Sequence, residues 1–252
     1  MSGKSRNRLE ILHLDDHLAV VNKAAGVPVV PTRSGRGESL RELLAVHLGT
    51  PPFVVHRIDR DTTGVVLFAR DAPTHRELSL MFEHREVEKV YLAVVRGHPD
   101  PAAGTIELPL QRDRHDPTRM TVARRGGKPC RTDYRTVETF RGYALVEVKP
   151  WTGRMHQIRV HLSAIGHPLA VDPVYGGTRA VCLSEFKRDY RQKKGREERP
   201  LISRLSLHAS VVRLGRPLTH VGAARFEAPL SHDLDVFLKQ LAKHASLPRP
   251  AH

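Results

Sequence analysis

Cysteine is scarce in this 252-residue sequence, where only Cys130 and Cys182 occur. They stand far apart with no Cys-x-x-Cys partner. That spacing excludes a disulfide framework and a cysteine-rich zinc site, and leaves two small thiols that pack as apolar groups. Long apolar runs are also lacking. No stretch approaches the roughly 18–20 residues that a membrane span needs. The basic start, Met1-Ser2-Gly3-Lys4-Ser5-Arg6-Asn7-Arg8, has no apolar core of the secretory kind. The expectation is a cytoplasmic protein with no membrane association. Metal-ligand spacing is missing despite 16 histidines: His156 and His161 do not make a zinc pair, and no His-Glu-x-x-His occurs. No metal and no cofactor is therefore expected. The last deficit is of acid: 27 Asp and Glu stand against 41 Lys and Arg, a net charge of +14. Such an excess repels itself in the compact state and calls for a polyanionic partner, with phosphate neutralisation and counterion release as its use. Charge alone separates neither RNA from DNA nor an enzyme from a passive binder.

What is present suffices for one large domain with a buried core. Leu9 to Val21 reads as a strand and turn, Asn22–Gly26 and Pro28–Gly37 as turn and loop. Ser39 caps a helix with Leu40, Leu43, Leu44 and His47 on one stripe. Phe53-Val54-Val55 is a short strand, and Val65–Ala69 a fully apolar one. Thr74–Phe82 is helical in pattern, and Val87–Val95 is a strand with Lys89 and Tyr91 on one face. Strands follow at Thr105–Leu108, Cys130–Val137 and Ala144–Val148. A helix over His156–Ile165 stops at Gly166. A strand near Leu205–Leu214 and a helix at Leu234–His244 end the pattern. Regular βαβ alternation is absent, so the class is α+β. There is no internal repeat and no clear linker. The reading is a basic tail at 1–8, one domain over 9–245 and a tail at 246–252. Arg112–Arg135 and Phe186–Arg204 are basic excursions, the second within an insert at about 178–204.

Two segments carry chemistry. The first is His56-Arg57-Ile58-Asp59-Arg60-Asp61-Thr62-Thr63-Gly64, between two apolar strands. A carboxylate at the end of a buried strand is costly unless paired, so Asp59 marks a site; a solvated turn satisfied by backbone amides is the bland alternative. The second is Thr152-Gly153-Arg154-Met155-His156-Gln157-Ile158-Arg159-Val160-His161-Leu162, then Gly166-His167-Pro168. Arg159 falls at the margin of its helix's apolar face, beside Ile158 and Leu162, which suits a guanidinium reaching inward to a carboxylate. A basic face that meets phosphate fits the same residues.

These segments resemble the RluA-type family of RNA pseudouridine synthases over nearly the full length. The family's His-Arg-Leu-Asp and Thr-Ser-Gly pattern stands here as His56-Arg57-Ile58-Asp59 and Thr62-Thr63-Gly64. Asp15-Asp16 with Val21–Val27 resembles its first motif, with Ala24 where proline is usual. Lys89–Gly97 resembles its tyrosine motif. Gly153–Leu162, Gly166-His167-Pro168 and Asp172–Gly176 resemble its arginine motif. Leu207-His208-Ala209 and Phe226–Leu230 resemble its C-terminal end.

The resemblance implies a mixed, largely antiparallel sheet with flanking helices and a basic cleft. It implies isomerisation of uridine to pseudouridine in ribosomal or transfer RNA, with the target base flipped out of its stack. Asp59 becomes the essential carboxylate, acting as nucleophile at the sugar or as the base that opens a glycal route. Desolvation opposes its ionisation and a nearby guanidinium restores it. By motif position that partner is Arg159, with Arg154 a second choice or a phosphate ligand. Tyr91 stacks on the base and suits proton transfer, and Arg57 fills the gap the base leaves. Ile158 and Leu162 line the apolar side of the pocket. His56, Arg60, Thr63, Gly64, His156 and Gln157 join the substrate contacts, and His208 is structural. Many relatives carry an N-terminal S4-type RNA-binding domain. The first motif here begins near residue 10, so the expectation is a stand-alone, monomeric catalytic domain whose basic inserts select the RNA. It needs no obligate protein partner. Two rivals remain: a non-catalytic RNA-binding or chaperone protein on the same fold, and a hydrolase that uses Asp59 and Asp61 as a carboxylate pair.

Overall fold

The computed structural model describes residues 9–31, 38–192 and 195–247. The tail at 1–8, part of the Pro28–Gly37 loop, residues 193 and 194 of the basic insert and most of the 246–252 tail lie outside the described residues. The chain opens with β1 (Leu9–Leu14), β2 (Leu18–Lys23), α1 (Leu40–Leu48), β3 (Phe53–Val54), β4 (Thr63–Ala69), α2 (Ala72–Glu83) and β5 (Val87–Arg96). Next come β6 (Ala103–Ile106), β7 (Leu110–Arg112), β8 (Met120–Val122), β9 (Thr132–Phe140), β10 (Tyr143–Pro150) and α3 (Gln157–Ala164). The order ends with β11 (Leu207–Leu214), β12 (Arg225–Glu227) and α4 (His232–His244). The fold is α+β, with mostly antiparallel strand pairs and four helices among the described residues. No helix among the described residues is long and apolar enough to cross a membrane.

Two compact units divide the chain, residues 1–91 with 208–230 and residues 92–207 with 231–252. The chain passes between them inside β5, after the first residue of β11, and between Leu230 and Ser231 just before α4.

In the first unit the strand order is β1-β2-β4-β11, with β3 on β4 and β12 on β11. The β4–β11 pair is parallel and the other pairs are antiparallel. Leu18, Val20, Val65 and Leu67 pack with Leu78 and Met81 of α2. The alternate residues Ala19, Val21, Val66 and Phe68 pack with Leu40 and Leu44 of α1. Both faces of β2 and β4 are thus covered, which is why β4 reads as an unbroken apolar run instead of an alternating one. Each of these side chains larger than Ala19 contributes roughly 1.5–3 kcal/mol by leaving water. Ser39 caps α1 as its position predicted: its hydroxyl accepts from Glu42 N, and the Glu42 carboxylate accepts from Ser39 N at 2.8 Å.

In the second unit β10, β9 and β6 pair antiparallel, and β7 and β8 form a separate ribbon. Of that ribbon β8 lies within the Arg112–Arg135 excursion and β7 ends at its first residue, so the excursion is partly strand. Among its described residues the 178–204 insert contains a single 3-10 turn, Leu183–Glu185, and it is tied down through Val181, Phe186 and Ile202, all buried. Phe186 packs beside Phe237 of α4 and meets the Tyr143 ring edge-on. The insert is anchored by its apolar residues and turns Arg188, Arg191, Arg196 and Arg199 to solvent.

Candidate active site

Asp59 lies in the loop between β3 and β4, in the first unit. The loop is fixed through its backbone. Thr62 N donates to Asp59 O at 3.2 Å, closing the turn. The carbonyl of the next residue, Arg60, accepts from Gly26 N at 3.0 Å and from the Lys23 ammonium at 2.7 Å. Lys23 is fully buried and also donates to Ala24 O at 2.9 Å and Val27 O at 2.8 Å. A buried ammonium is costly unless its donors are used; here three carbonyls use them and join the Gly26 turn to the Asp59 loop. Arg60 returns the tie by donating from Nε to Gly26 O at 2.9 Å.

The far end of the loop is locked by close approach. Thr63 and Gly64 sit beside His208 and Ala209 in the parallel β4–β11 pair. A Cβ on Gly64 would stand 2.1 Å from Ala209 O, and its φ of +114° is one that side-chain-bearing residues rarely adopt. Thr63 is buried, and its hydroxyl donates to His208 Nδ1 at 2.8 Å while His208 Nε2 donates to Ala228 O at 3.2 Å. Both His208 nitrogens are thereby engaged, which is the structural role expected for it.

His56 also serves the frame. Its Nε2 accepts the Leu67 N–H at 3.0 Å, standing in for a strand neighbour, and its ring stacks on Phe82 at 4.9 Å. Burial first, and the Lys89 charge second, push its pKa down to about 3, so it is neutral at working pH. His56 Nε2 and the Thr63 hydroxyl, both expected among the substrate contacts, thus make hydrogen bonds inside the protein. Gly64 has no side chain to offer and acts by conformation.

Tyr91 is the last residue of the first unit, on β5 and partly buried. Burial, and then the negative charge of Asp59, raise its pKa well above the usual tyrosine range, so the phenol stays protonated. Lys89 lies two residues earlier on the same strand, where burial brings its ammonium down to about 8. Arg57, Arg60 and Asp61 are exposed, and Ile58 packs against the cluster that includes Val66 and Phe68.

The second unit holds Arg159 on α3, nearly fully buried. Its Nε donates to Asp172 Oδ2 at 2.7 Å and its Nη2 to Asp172 Oδ1 at 2.9 Å, a two-point pair. The guanidinium lies 4.9 Å from the Tyr175 ring centroid. Tyr175 is a hub: its hydroxyl accepts from Met120 N at 2.8 Å and contacts His156 Nδ1 at 2.8 Å. Arg119 of the ribbon approaches the same ring at 5.7 Å. Ile158 and Leu162 are buried, whereas Arg154 and Met155 are exposed.

Gln157 departs from its assignment as a substrate contact. It is buried, donates to Arg131 O and Thr132 Oγ1 at 2.9 Å each, and accepts from Thr152 Oγ1 at 2.6 Å and Arg154 N at 3.2 Å. It ties the 152–154 segment to β9. His156 is the first residue before α3, in a left-handed conformation with φ 54°. Three residues had no role assigned by sequence: Lys23, Asp172 and Tyr175. Lys23 could have been found as a charge in a strand whose other inward positions are apolar. The partners of Asp172 and Tyr175 are visible only in three dimensions.

A carboxylate beside a protonated phenol, and a guanidinium fixed by carboxylate and ring, are tools for acid–base or nucleophilic chemistry on a polar substrate. Among the described residues no cluster of three or more His, Cys, Asp or Glu could hold a metal ion. Comparison with known proteins names the class. The profile of the RNA pseudouridylate synthase family matches residues 17–164, and the chain belongs to this family of RNA uridine-to-pseudouridine isomerases. It is 39% identical over 232 residues to an uncharacterized RNA pseudouridine synthase of Chloroflexus aurantiacus, covering 89% of this chain and 67% of that one. It is 36% identical to the dual-specificity RNA pseudouridine synthase RluA of Escherichia coli, over 88% of this chain and 93% of the other. The solved structure of human RNA pseudouridylate synthase domain containing 4 superposes with a TM-score of 0.67 at 25% identity, covering 95% of both chains. Several curated relatives are longer, and the chain spans 63% of the length of one from Neisseria meningitidis.

Proposed function

We propose that this chain converts uridine to pseudouridine in ribosomal or transfer RNA, as a monomer in the cytoplasm, with Asp59 as the essential carboxylate. The N-glycosidic bond from C1′ to N1 breaks, the base turns, and C5 joins C1′. The proton lost from C5 is balanced by one gained at N1, so the change is redox-neutral. Asp59 starts the sequence, either by displacing N1 at C1′, its own bond to C1′ then breaking as C5 attacks, or by taking the C2′ proton as the base of a glycal route and returning it as C5 joins C1′. Tyr91 stacks on the flipped base and, as a protonated phenol, is a proton donor at rest rather than a base. Arg159 is the third catalytic residue that the family resemblance assigns, and its guanidinium is held within the second unit by Asp172. Arg57 and Arg154, both exposed, suit the space left by the base and the phosphates respectively.

The observation that carries this reading is the electrostatic contact of Asp59 with Tyr91 within one unit, on a loop pinned from both ends. The E. coli relative's name includes dual specificity, which favours a substrate range wider than one RNA. The test is product formation by Asp59→Asn and Asp59→Ala, read by carbodiimide-stopped primer extension on RNA from cells with and without the gene. Both variants are expected to form no product and to bind RNA within about threefold of wild type, a change at one side chain being small beside the summed phosphate contribution. Turnover by both variants rules Asp59 out as the essential group. A free base or a cleaved strand instead of an isomer favours the hydrolase reading with Asp61.

A further inference from the structure

The sequence contains one tryptophan, Trp151, and it is 48% exposed. An indole usually gains most by burial, so one held at the surface needs a cause. Trp151 is held there by a built support. It follows directly on β10, and its backbone N donates to Arg131 O at 3.0 Å. Its indole Nε1 donates to Asp133 Oδ2 at 2.5 Å. The Arg131 guanidinium covers the indole, 4.8 Å from its centroid. Asp133 is itself fixed, accepting from Thr105 Oγ1 at 2.7 Å and from Arg131 Nε at 3.2 Å. Desolvation works against its charge, but these contacts from Trp151, Thr105 and Arg131 win and hold its carboxyl below the usual range. Ring plane and ring edge are therefore both set before any ligand arrives.

The surroundings identify what the platform fits. Its neighbours on this face are Arg131, Asp133, Thr105 and Glu107, polar groups instead of an apolar ring around the indole. A protein partner needs an apolar centre and an area of about 1,000 Å² or more, which a lone indole among charges does not supply. A nucleic-acid base needs only a π-face of its own size, and an arginine on the opposite side strengthens such a stack. Trp151 also leads straight into exposed Gly153, Arg154 and Met155 and then into α3, which carries Arg159. Gln157 bonds this segment to Arg131 and Thr132, so platform and segment are one rigid piece of the second unit.

We propose that Trp151, backed by Arg131 and fixed by Asp133, is a stacking site for an unpaired base of the RNA substrate other than the target uridine. This rests on the reading of the chain as an RNA-modifying enzyme and adds a second base contact to it. A platform that takes any π-face favours RNA with an unpaired nucleotide near the target, whatever its identity.

Because Trp151 is the only tryptophan, the emission of the intact protein above 295 nm excitation reports this site alone. The test titrates the full chain with a uridine-bearing RNA hairpin, following tryptophan emission and, in parallel, filter retention of the radiolabelled hairpin. Emission is expected to be quenched with the same midpoint as retention. Trp151→Ala is expected to weaken retention about tenfold, and Trp151→Phe, which keeps a smaller π-face, by less than about threefold. Retention without any change in emission overturns the platform and leaves the isomerase reading standing. Wild type that retains no RNA takes both down together. Equal retention by wild type and Trp151→Ala also overturns it; should that variant fail to fold, the wild-type emission still decides.

Discussion

Asp59 and Arg159 are held in opposite ways. The Asp59 loop is fixed through its backbone, by the Lys23 ammonium on Arg60 O, the Gly26 N–H on the same carbonyl, and the close pass of Gly64 over Ala209. Arg159 is fixed through its own side chain, by two hydrogen bonds to Asp172 and the face of Tyr175. The path of the Asp59 loop is thus set by its main-chain atoms, whereas the place of the Arg159 guanidinium depends on the side chains of Asp172 and Tyr175.

The comparison can be broken on the arginine side first. Asp172→Asn leaves a buried guanidinium without its charge partner, and breaking such a pair costs about 3–5 kcal/mol. Urea unfolding is expected to show that loss, with Asp172→Glu recovering part of it. Stability within about 1 kcal/mol of wild type for Asp172→Asn would mean that Tyr175 and the rest of the pocket hold Arg159 without it.

On the carboxylate side the backbone is the target. Gly64→Ala places a methyl group against the Ala209 carbonyl at an unfavourable φ, and strain with overpacking costs about 2–4 kcal/mol. Activity is expected to fall further than stability accounts for, because the loop end that sets Asp59 must shift. A variant that melts lower yet turns over at the wild-type rate when folded would show that Asp59 does not depend on this anchor.

The smallest effect sharpens the contrast between two lysines of the first unit, Lys23 and Lys89. Lys23 has its donors on three carbonyls, while burial pulls Lys89 down to about 8. The unfolded chain holds the Lys89 proton up to about pH 10.4, so between pH 8 and 10.4 it binds more protons than the folded protein. Stability therefore gains a rising contribution over that window. The wild-type minus Lys89→Met difference in unfolding free energy, measured at pH 7.5 and 10, is expected to increase by about 1 kcal/mol or more. A difference that is flat across the window would place the Lys89 ammonium in a setting where its charge costs nothing.

The frame was largely legible in the residues. Ser39 marked the start of α1 and Gly166 the end of α3, and the unbroken Val65–Ala69 run marked a strand covered on both faces. The ribbon of β7 and β8 was not, because three-residue strands amid Arg112, Arg119 and Lys128 show charge where a longer strand would show alternation. The parallel β4–β11 pair joins residues about 145 apart, beyond any local pattern. Residue types pointed to Asp59 and Arg159, and the family resemblance to Tyr91, but neither could sort the polar groups around them. His56, Thr63 and Gln157 look like substrate ligands in sequence because they are polar and lie in dense motifs. Their work is to complete the backbone and side-chain contacts that keep those motifs in shape.

Lys23 has a consequence beyond holding a loop. Its amine is shut from water only while the carbonyls of Ala24, Val27 and Arg60 stay together, so an amine-specific reagent can reach it only during local opening. The rate at which Lys23 becomes labelled is then a clock for how often the Asp59 loop comes apart in the folded protein, and a bound RNA that steadies the loop slows that clock.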